Sequence, residues 1–401
     1  MRFHIEDTTL KSYKEKAGVT EIIIPDNVTI IGDKAFQLCT DLKTIIIPDT
    51  VTTIGERAFR LCAYLKNITI PESVTTIKDS AFYACKGLKE VIIPESVTKI
   101  GKEAFASCTG LKCVTIPSKM TAIEEETFAK CTSLTRVNIP ESVTSINNGA
   151  FADCKCLVRI NIPNTVNHIG FGAFENCISL SRIVLPENMT EIEPYTFYGC
   201  LSLKNIVIPE KVEQINRFAF SGCRSLRKIT IPQTVKIIQL GAFFECRTVE
   251  SIQLLLENGS TFTIDNFNEM RTYENPDLII DTLMSILFEK DFSKKLHPNL
   301  KYKLILDYFI VSGDEETKEY IRVNFIDFVE HFIQTGDIDR IQNVIDYANF
   351  FTAENIDRFV MFAIDKAQEG GKLEIQLLLM DYQAQNFGFD AMEDIERRFA
   401  L

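Results

Sequence analysis

The sequence predicts an α+β chain in two domains: a solenoid of parallel strands stacked coil on coil, followed by an all-α helical domain. Three observations carry that reading. A 23-residue unit is written ten times without an insertion, marked by proline from Pro25 and Pro48 through to Pro232. Phenylalanine follows eleven residues after each proline, from Phe36 to Phe243, and cysteine three residues after each phenylalanine, from Cys39 to Cys246. Beyond Leu255 this beat stops, and apolar residues recur at spacings of three and four. A unit this short cannot bury its apolar side alone, so a period in this range requires neighbours stacked on it.

The opening residues come first. Phe3, Ile5 and Leu10 supply apolar side chains to close the exposed end of a stack, so residues 1–18 are read as an N-terminal cap and 19–260 as the solenoid. Within one unit, LKNITIPESVTTIKDSAFYACKG from Leu65, alternation at period two puts Ile68 and Ile70 on one face of a strand and Asn67 and Thr69 on the other. Pro71 cannot donate to a ladder, and the Glu72-Ser73 pair that follows suits a turn. The segment VTTIK forms a second short strand on another side of the coil. The run DSAFYAC is spaced for a single tight turn that drops Ala81, Phe82 and Cys85 inward. Stacked coils repeat at about 4.8 Å, so every inward column becomes a ladder of like residues.

The tail, residues 261–401, opens with ENGSTFTIDN as an exit loop or last edge strand. Helices are then expected over about 277–290, 299–311, 314–333, 337–348, 353–369, 372–384 and 390–399, punctuated by Gly313, Gly336 and Gly370-Gly371. Two stretches echo each other, from Ile326 and from Ile356, each a helix, a glycine-containing turn and a second helix.

The pattern LxxIxIPxxVTxIGxxAFxxC resembles the BspA-type leucine-rich repeat over about Val19 to Leu255. Departures are mild: Met120 and Met189 replace valine, Thr127 and Thr196 replace alanine, and the glycine of Gly32, Gly55, Gly101 and Gly170 varies elsewhere. The resemblance implies a leucine-rich-repeat solenoid that binds proteins or matrix components through a repeat surface, with no catalytic residues. Because the family is known from bacterial surface and secreted proteins, it also implies a cell-surface or adhesion role. The segment GGKLEIQLLLMDY is similar to the inner part of an ankyrin repeat, although the TPLH entry motif is missing, and the likeness covers roughly 313–385.

Composition narrows the function classes. A formal charge of −12 opposes general nucleic-acid binding. No stretch approaches the length of a membrane span and no apolar run serves as a secretory signal, so the chain as written is expected to be cytoplasmic, with the family resemblance pointing instead to the surface. Acidic residues gather after the prolines, at Asp26, Asp49, Glu72, Glu95, Glu141, Glu187 and Glu210, as on a solvated edge. Ten of the twelve cysteines fall in one column, where Cβ atoms about 4.8 Å apart exceed the roughly 3.8 Å that a disulfide wants, so they read as buried thiols. Cys113 lies outward on a strand, and Cys156 near Cys154 lacks the second pair that a zinc site needs. The four histidines, His4, His168, His297 and His331, are scattered, and Gly370-Gly371-Lys372 lacks the rest of a phosphate loop. No catalytic site, metal site or cofactor is therefore expected.

The outward strand positions hold the candidate binding residues. One column runs through Cys113, Arg136, Arg159, Arg182 and Asn205, and the next through Asn138, Asn161, Val184 and Val207. Three stacked arginines repel unless something anionic relieves them, and guanidinium forks match carboxylates. The same stack also results if the long side chains splay toward nearby acids or solvent. Ile23, Ile46 and Ile92 lie at the other end of that face, as a partner-facing patch or a surface covered by the cap. The expected function is thus non-enzymatic binding of a protein partner, acidic where it meets the arginines. A carbohydrate or cell-wall binding module ranks second, because Tyr64, Tyr83, Tyr195 and Tyr198 fall between columns and there is no tryptophan. A hydrolase ranks third, for want of a site.

Overall fold

The structure is a computed structural model that describes residues 3–14, 18–265 and 267–388. Two compact units divide the chain. One takes the residues up to Leu255 together with Thr263–Met284, and the other takes Leu256–Phe262 and the chain from Ser285 onward.

In the first unit each coil has three sides. The first carries the outward strands, such as Glu21–Ile23, Thr44–Ile46, Asn67–Thr69, Cys113–Thr115 and Arg136–Asn138, paired parallel and in register. Ile22, Ile45 and Val137 point inward and are buried, while their neighbours face out. After each proline the chain turns, the N–H three residues on donating back to the proline carbonyl, as Val28 does to Pro25 at 3.1 Å and Val74 to Pro71 at 3.0 Å. The second side holds two-residue strands from Ile30–Ile31 to Ile237–Ile238.

The third side differs from the single tight turn expected. Lys34 and Leu38 sit four residues apart in the left-handed region, with φ 61° and 66°, and the pattern recurs along the array. Alternate N–H groups are thereby freed to bond across coils: Lys34, Phe36 and Leu38 donate to the carbonyls of Glu56, Ala58 and Arg60 at 2.8–2.9 Å. These bonds offset a left-handed cost of roughly 1–2 kcal/mol per residue.

The interior is a ladder of phenylalanines from Phe36 to Phe243, all nearly fully buried, with ring centroids 5.2–5.7 Å apart and planes within 2–11° of parallel. Beside it runs the cysteine column, free and buried. Each thiol from Cys62 to Cys246 donates to the carbonyl of the phenylalanine one coil back, at 3.1–3.3 Å. The column thus combines apolar volume with a weak donor for a buried carbonyl. The departures also have local reasons. Thr127 and Thr196 donate their hydroxyls to Glu124 and Glu193 carbonyls at 2.8 and 2.7 Å. Where a coil carries Asp33 or Asp79, that carboxylate accepts the N–H of Glu56 or Lys102 one coil on, and only glycine leaves room: a Cβ on Gly101 would stand 2.2 Å from Asp79 Oδ1.

At the amino end a hairpin, Phe3–Glu6 with Thr9–Tyr13, continues the ladder of short strands, Leu10 pairing with Ile31. Leu10 is fully buried, Phe3 and Ile5 half-buried, and Tyr13 packs on Phe36 with centroids 5.4 Å apart. At the other end, Ser251–Leu255 is the last parallel strand. A helix at Phe267–Tyr273, absent from the sequence reading, and the start of Ile279–Phe288 belong to this unit, although periodicity groups them with the tail.

The second unit contains helices Pro298–Ser312, Glu315–Val323, Phe325–Thr335, Ile338–Asn343, Ala353–Gln368 and Leu373–Asn386. The single helix expected over 314–333 is broken at Asn324, whose side chain bonds back to the Tyr320 carbonyl at 2.8 Å. The stretch Val344–Ala348 is a π-helix that ends on left-handed Asn349. Gly313 and Gly336, at φ 68° and 69°, cap their helices as left-handed residues. The helix expected over 390–399 lies outside the described residues. Two helix-turn-helix pairs are present, which is what the ankyrin-like expectation rests on.

Candidate functional site: the outward strand face

Every expected binding residue lies on the outward strand face. Arg136, Arg159 and Arg182 are exposed, and the bridges Cys113 to Arg136 and Arg159 to Arg182 set them in one column. Asn138 and Asn161 are directly paired in the next column. Among the described residues no carboxylate meets any of the three guanidinium groups. The other described arginines are all engaged: Arg57, Arg224, Arg227, Arg247, Arg322, Arg340 and Arg358 in ion pairs, Arg60 and Arg217 over the rings of Tyr83 and Phe218, and Arg271 on the Val249 carbonyl. Of the two ways such a stack relaxes without a ligand, these exposed side chains take the one toward solvent and not the one toward acids.

Beside Arg182 the face dips into a groove of about 840 Å³ over the eighth and ninth coils. Val184 and Val207, 65% and 64% exposed, form its apolar floor, and Lys204, Lys211, Glu187 and Glu210 stand around it. Sequence reasoning placed both valines in an outward column without singling them out. The signal was two successive apolar residues in a column otherwise polar from Thr115 to Asn161. At the other end of the face, Ile23, Ile46 and Ile92 are 65%, 46% and 83% exposed, so the hairpin does not cover them; it joins the short-strand side instead. The distance along the array separates this patch from the arginine column.

Cys113 and Cys156 are exposed, unlike the ten column thiols. Burial pushes the Cys108 thiol up to about 12 and raises the others whose shift is resolved. Among the described residues no group of three or more His, Cys, Asp or Glu side chains is placed to hold a metal ion, and no helix is long and apolar enough to cross a membrane. His331, its proton affinity lowered by burial and then by His297, packs on Tyr302 at 5.1 Å between ring centroids.

A stack of near-identical coils with an outward parallel sheet defines a repeat-scaffold protein of the leucine-rich type. The chain belongs to the BspA-type leucine-rich repeat family: the family model matches residues 8–135 and 121–250. Proteins of this family generally mediate binding and are non-catalytic. Among solved structures, a leucine-rich cell surface protein of Faecalibacterium prausnitzii is 29% identical, covering 63% of this chain and 92% of its own at a TM-score of 0.37. A leucine-rich repeat protein of Bacteroides ovatus is 28% identical, covering 61% and 82%, at 0.41. One from T. pallidum is 30% identical, covering 43% and 82%, also at 0.41. No curated protein sequence matches the chain.

Proposed function

We propose that the chain is a non-enzymatic interaction protein whose outward strand face binds an acidic segment of a protein partner. The observation that supports this reading is the column Arg136, Arg159 and Arg182, the described arginines without an intramolecular partner. Neighbouring unit charges about 4.8 Å apart in water repel by roughly 0.9 kcal/mol, so the column is destabilising until an anion enters. Carboxylates of the partner meet the guanidinium forks, Asn138 and Asn161 bond its backbone or amides, and the Val184–Val207 groove takes an apolar side chain next to the acidic run. Ile23, Ile46 and Ile92 offer a second apolar contact to a partner long enough to reach them. The helical unit, with its two helix-turn-helix pairs, is in this reading a second interaction module of ankyrin-like type.

The test uses a fluorescein-labelled glutamate-rich peptide and the variant R136Q/R159Q/R182Q. Affinity of the native chain should fall steeply with salt, and the variant should bind more weakly and with a shallower salt slope. Its thermal stability should be equal or slightly higher, since a repulsion is gone. Unchanged binding, or a variant that unfolds, would overturn the reading.

A further inference from the structure

The turn side of the later coils departs from the repeat in a way that the strand face does not explain. Phe171, Tyr195 and Phe218 form a continuous row there, with ring centroids 5.2 and 5.3 Å apart and planes tilted by 45° and 40°. Tyr198 joins it at 5.5 Å. Phe171 is 46% exposed and the other rings are half-exposed, the Arg217 guanidinium lying over one face of Phe218 at 5.4 Å from its centroid. Tyr195 and Phe218 hold left-handed backbone, φ 58° and 56°, in a column where Gly149, Gly172 and Gly241 do the same without strain. Two bulky rings therefore stand where glycine is cheaper for the backbone. The glycines also clear space: a Cβ on Gly241 would lie 2.4 Å from the Phe218 ring.

Polar groups line the other edge of the row. Glu175 lies over Gly172, with Oε2 3.1 Å from where a Cβ would be, and Asn176 Oδ1 lies over Gly199 at 2.5 Å. Asp153, Glu175 and Asn176 are all half-buried. Among the described residues no side-chain hydrogen bond or ion pair engages them. Burial, and after it the neighbouring Asp153, raises the Glu175 carboxyl, as befits a carboxyl short of donors.

We propose that the row Phe171, Tyr195 and Phe218 is a binding site for a neutral β-linked oligosaccharide, its sugar rings stacked on the aromatic side chains and its hydroxyls bonded by Asp153, Glu175 and Asn176. The rings lie in line and do not converge into a box, so they suit an extended ligand and not a point cation. One ring per coil is close to the length of one pyranose along an extended glycan. The unpartnered acceptors want hydroxyl donors, and the carboxyls of Asp153 and Glu175 disfavour the phosphates of nucleic acid or lipid. The site lies on a different side of the coil from the arginine column and is independent of it. Of the four tyrosines that fall between columns, Tyr195 and Tyr198 meet in this row beside Phe171 and Phe218, while Tyr64 and Tyr83 stand apart from it.

Saturation-transfer NMR on the full-length chain with cellohexaose and with the hexamer of N-acetylglucosamine tests this. Saturation should reach the ring C–H protons of at least one sugar. The variant Tyr195→Gly, which removes a ring while adopting the residue its column already tolerates, should bind about tenfold more weakly. Phe171→Ala should act likewise, and R136Q/R159Q/R182Q should bind as the native chain does. No transfer to either sugar, native affinity in Tyr195→Gly, loss of binding in the arginine variant, or displacement of the sugar by tetramethylammonium would each overturn the proposal.

Discussion

Asp281 carries the most exacting consequence of the stacking scheme. Along the left-handed turn the inter-coil backbone bonds, N–H to carbonyl, all donate toward the following coil, so the tenth coil has N–H groups with no coil to receive them. Phe243 N–H instead donates to Asp281 Oδ1 at 3.4 Å, Gly241 N–H also favours the ionised carboxylate, and Oδ2 is buried without a hydrogen-bond partner among the described residues. Burial outweighs these groups and pushes the carboxyl from 3.8 up to about 6. At about 1.4 kcal/mol for each tenfold in proton affinity, this rise is worth about 3 kcal/mol. The sign follows from its direction. A carboxyl with a raised folded-state pKa contributes its stability in full below pH 3.8 and loses it as pH climbs through about 6. The stability difference between Asp281→Asn and the native chain should accordingly move by about 2.5 kcal/mol in favour of the variant between pH 4 and pH 8, wherever the difference starts. Urea unfolding followed by far-UV circular dichroism at a series of pH values measures it. A difference that stays flat, or moves in favour of the native chain, would show that the aligned N–H groups hold the carboxylate better than burial harms it.

Phe128→Ala should destabilise the first unit by about 3–5 kcal/mol, because the ring is fully buried between two others at 5.7 Å, whereas exposed Glu141→Ala should cost less than about 0.5 kcal/mol in the same urea experiment. Thiol titration of the native chain should label Cys113 and Cys156 alone, and all twelve cysteines once urea is added; early labelling of Cys108 would mean that the column opens. Thr127→Val should cost about 0.5–1.5 kcal/mol, by taking the hydroxyl donor from the Glu124 carbonyl and leaving it the Thr127 N–H alone, and thermal unfolding would show it.

What the sequence made legible is whatever repeats with one period. The proline turns, the two strands, the buried phenylalanine and cysteine columns and the outward arginines all follow from counting in steps of 23. The left-handed pairs on the turn side were not legible, because Lys34, Arg57, Ser80 and Glu103 share a backbone conformation and no side-chain property. The aromatic row escaped for a related reason. Phe171 and Tyr195 are 24 residues apart, one step off the period, so no single column contains both. Residues 263–284 read as part of the tail because helix periodicity reports only that a helix exists and not which unit it packs on.

The two ends of the stack need different chemistry for the same reason that Asp281 matters. In a parallel sheet, inter-strand bonds run both ways, as when Lys66 N–H donates back to Lys43 while Ile24 N–H donates forward to Ile46. The turn side instead aligns its N–H groups as a helix does, leaving carbonyls at the amino end and donors at the carboxyl end. A strand suits the first: Tyr13 N–H meets the Ala35 carbonyl at 2.8 Å, and Leu10 offers its own carbonyl to Gly32 N–H at 2.8 Å. The first turn of a helix cannot serve the second with its backbone, whose carbonyls there are spent within the helix, so the acceptor must come from a side chain. Asp281, on the first turn of Ile279–Phe288, supplies it. Hairpin and helix are thus not interchangeable as ends, and grafting a second hairpin after Phe243 would leave the tenth coil's donors unmet unless it too carried an acceptor there.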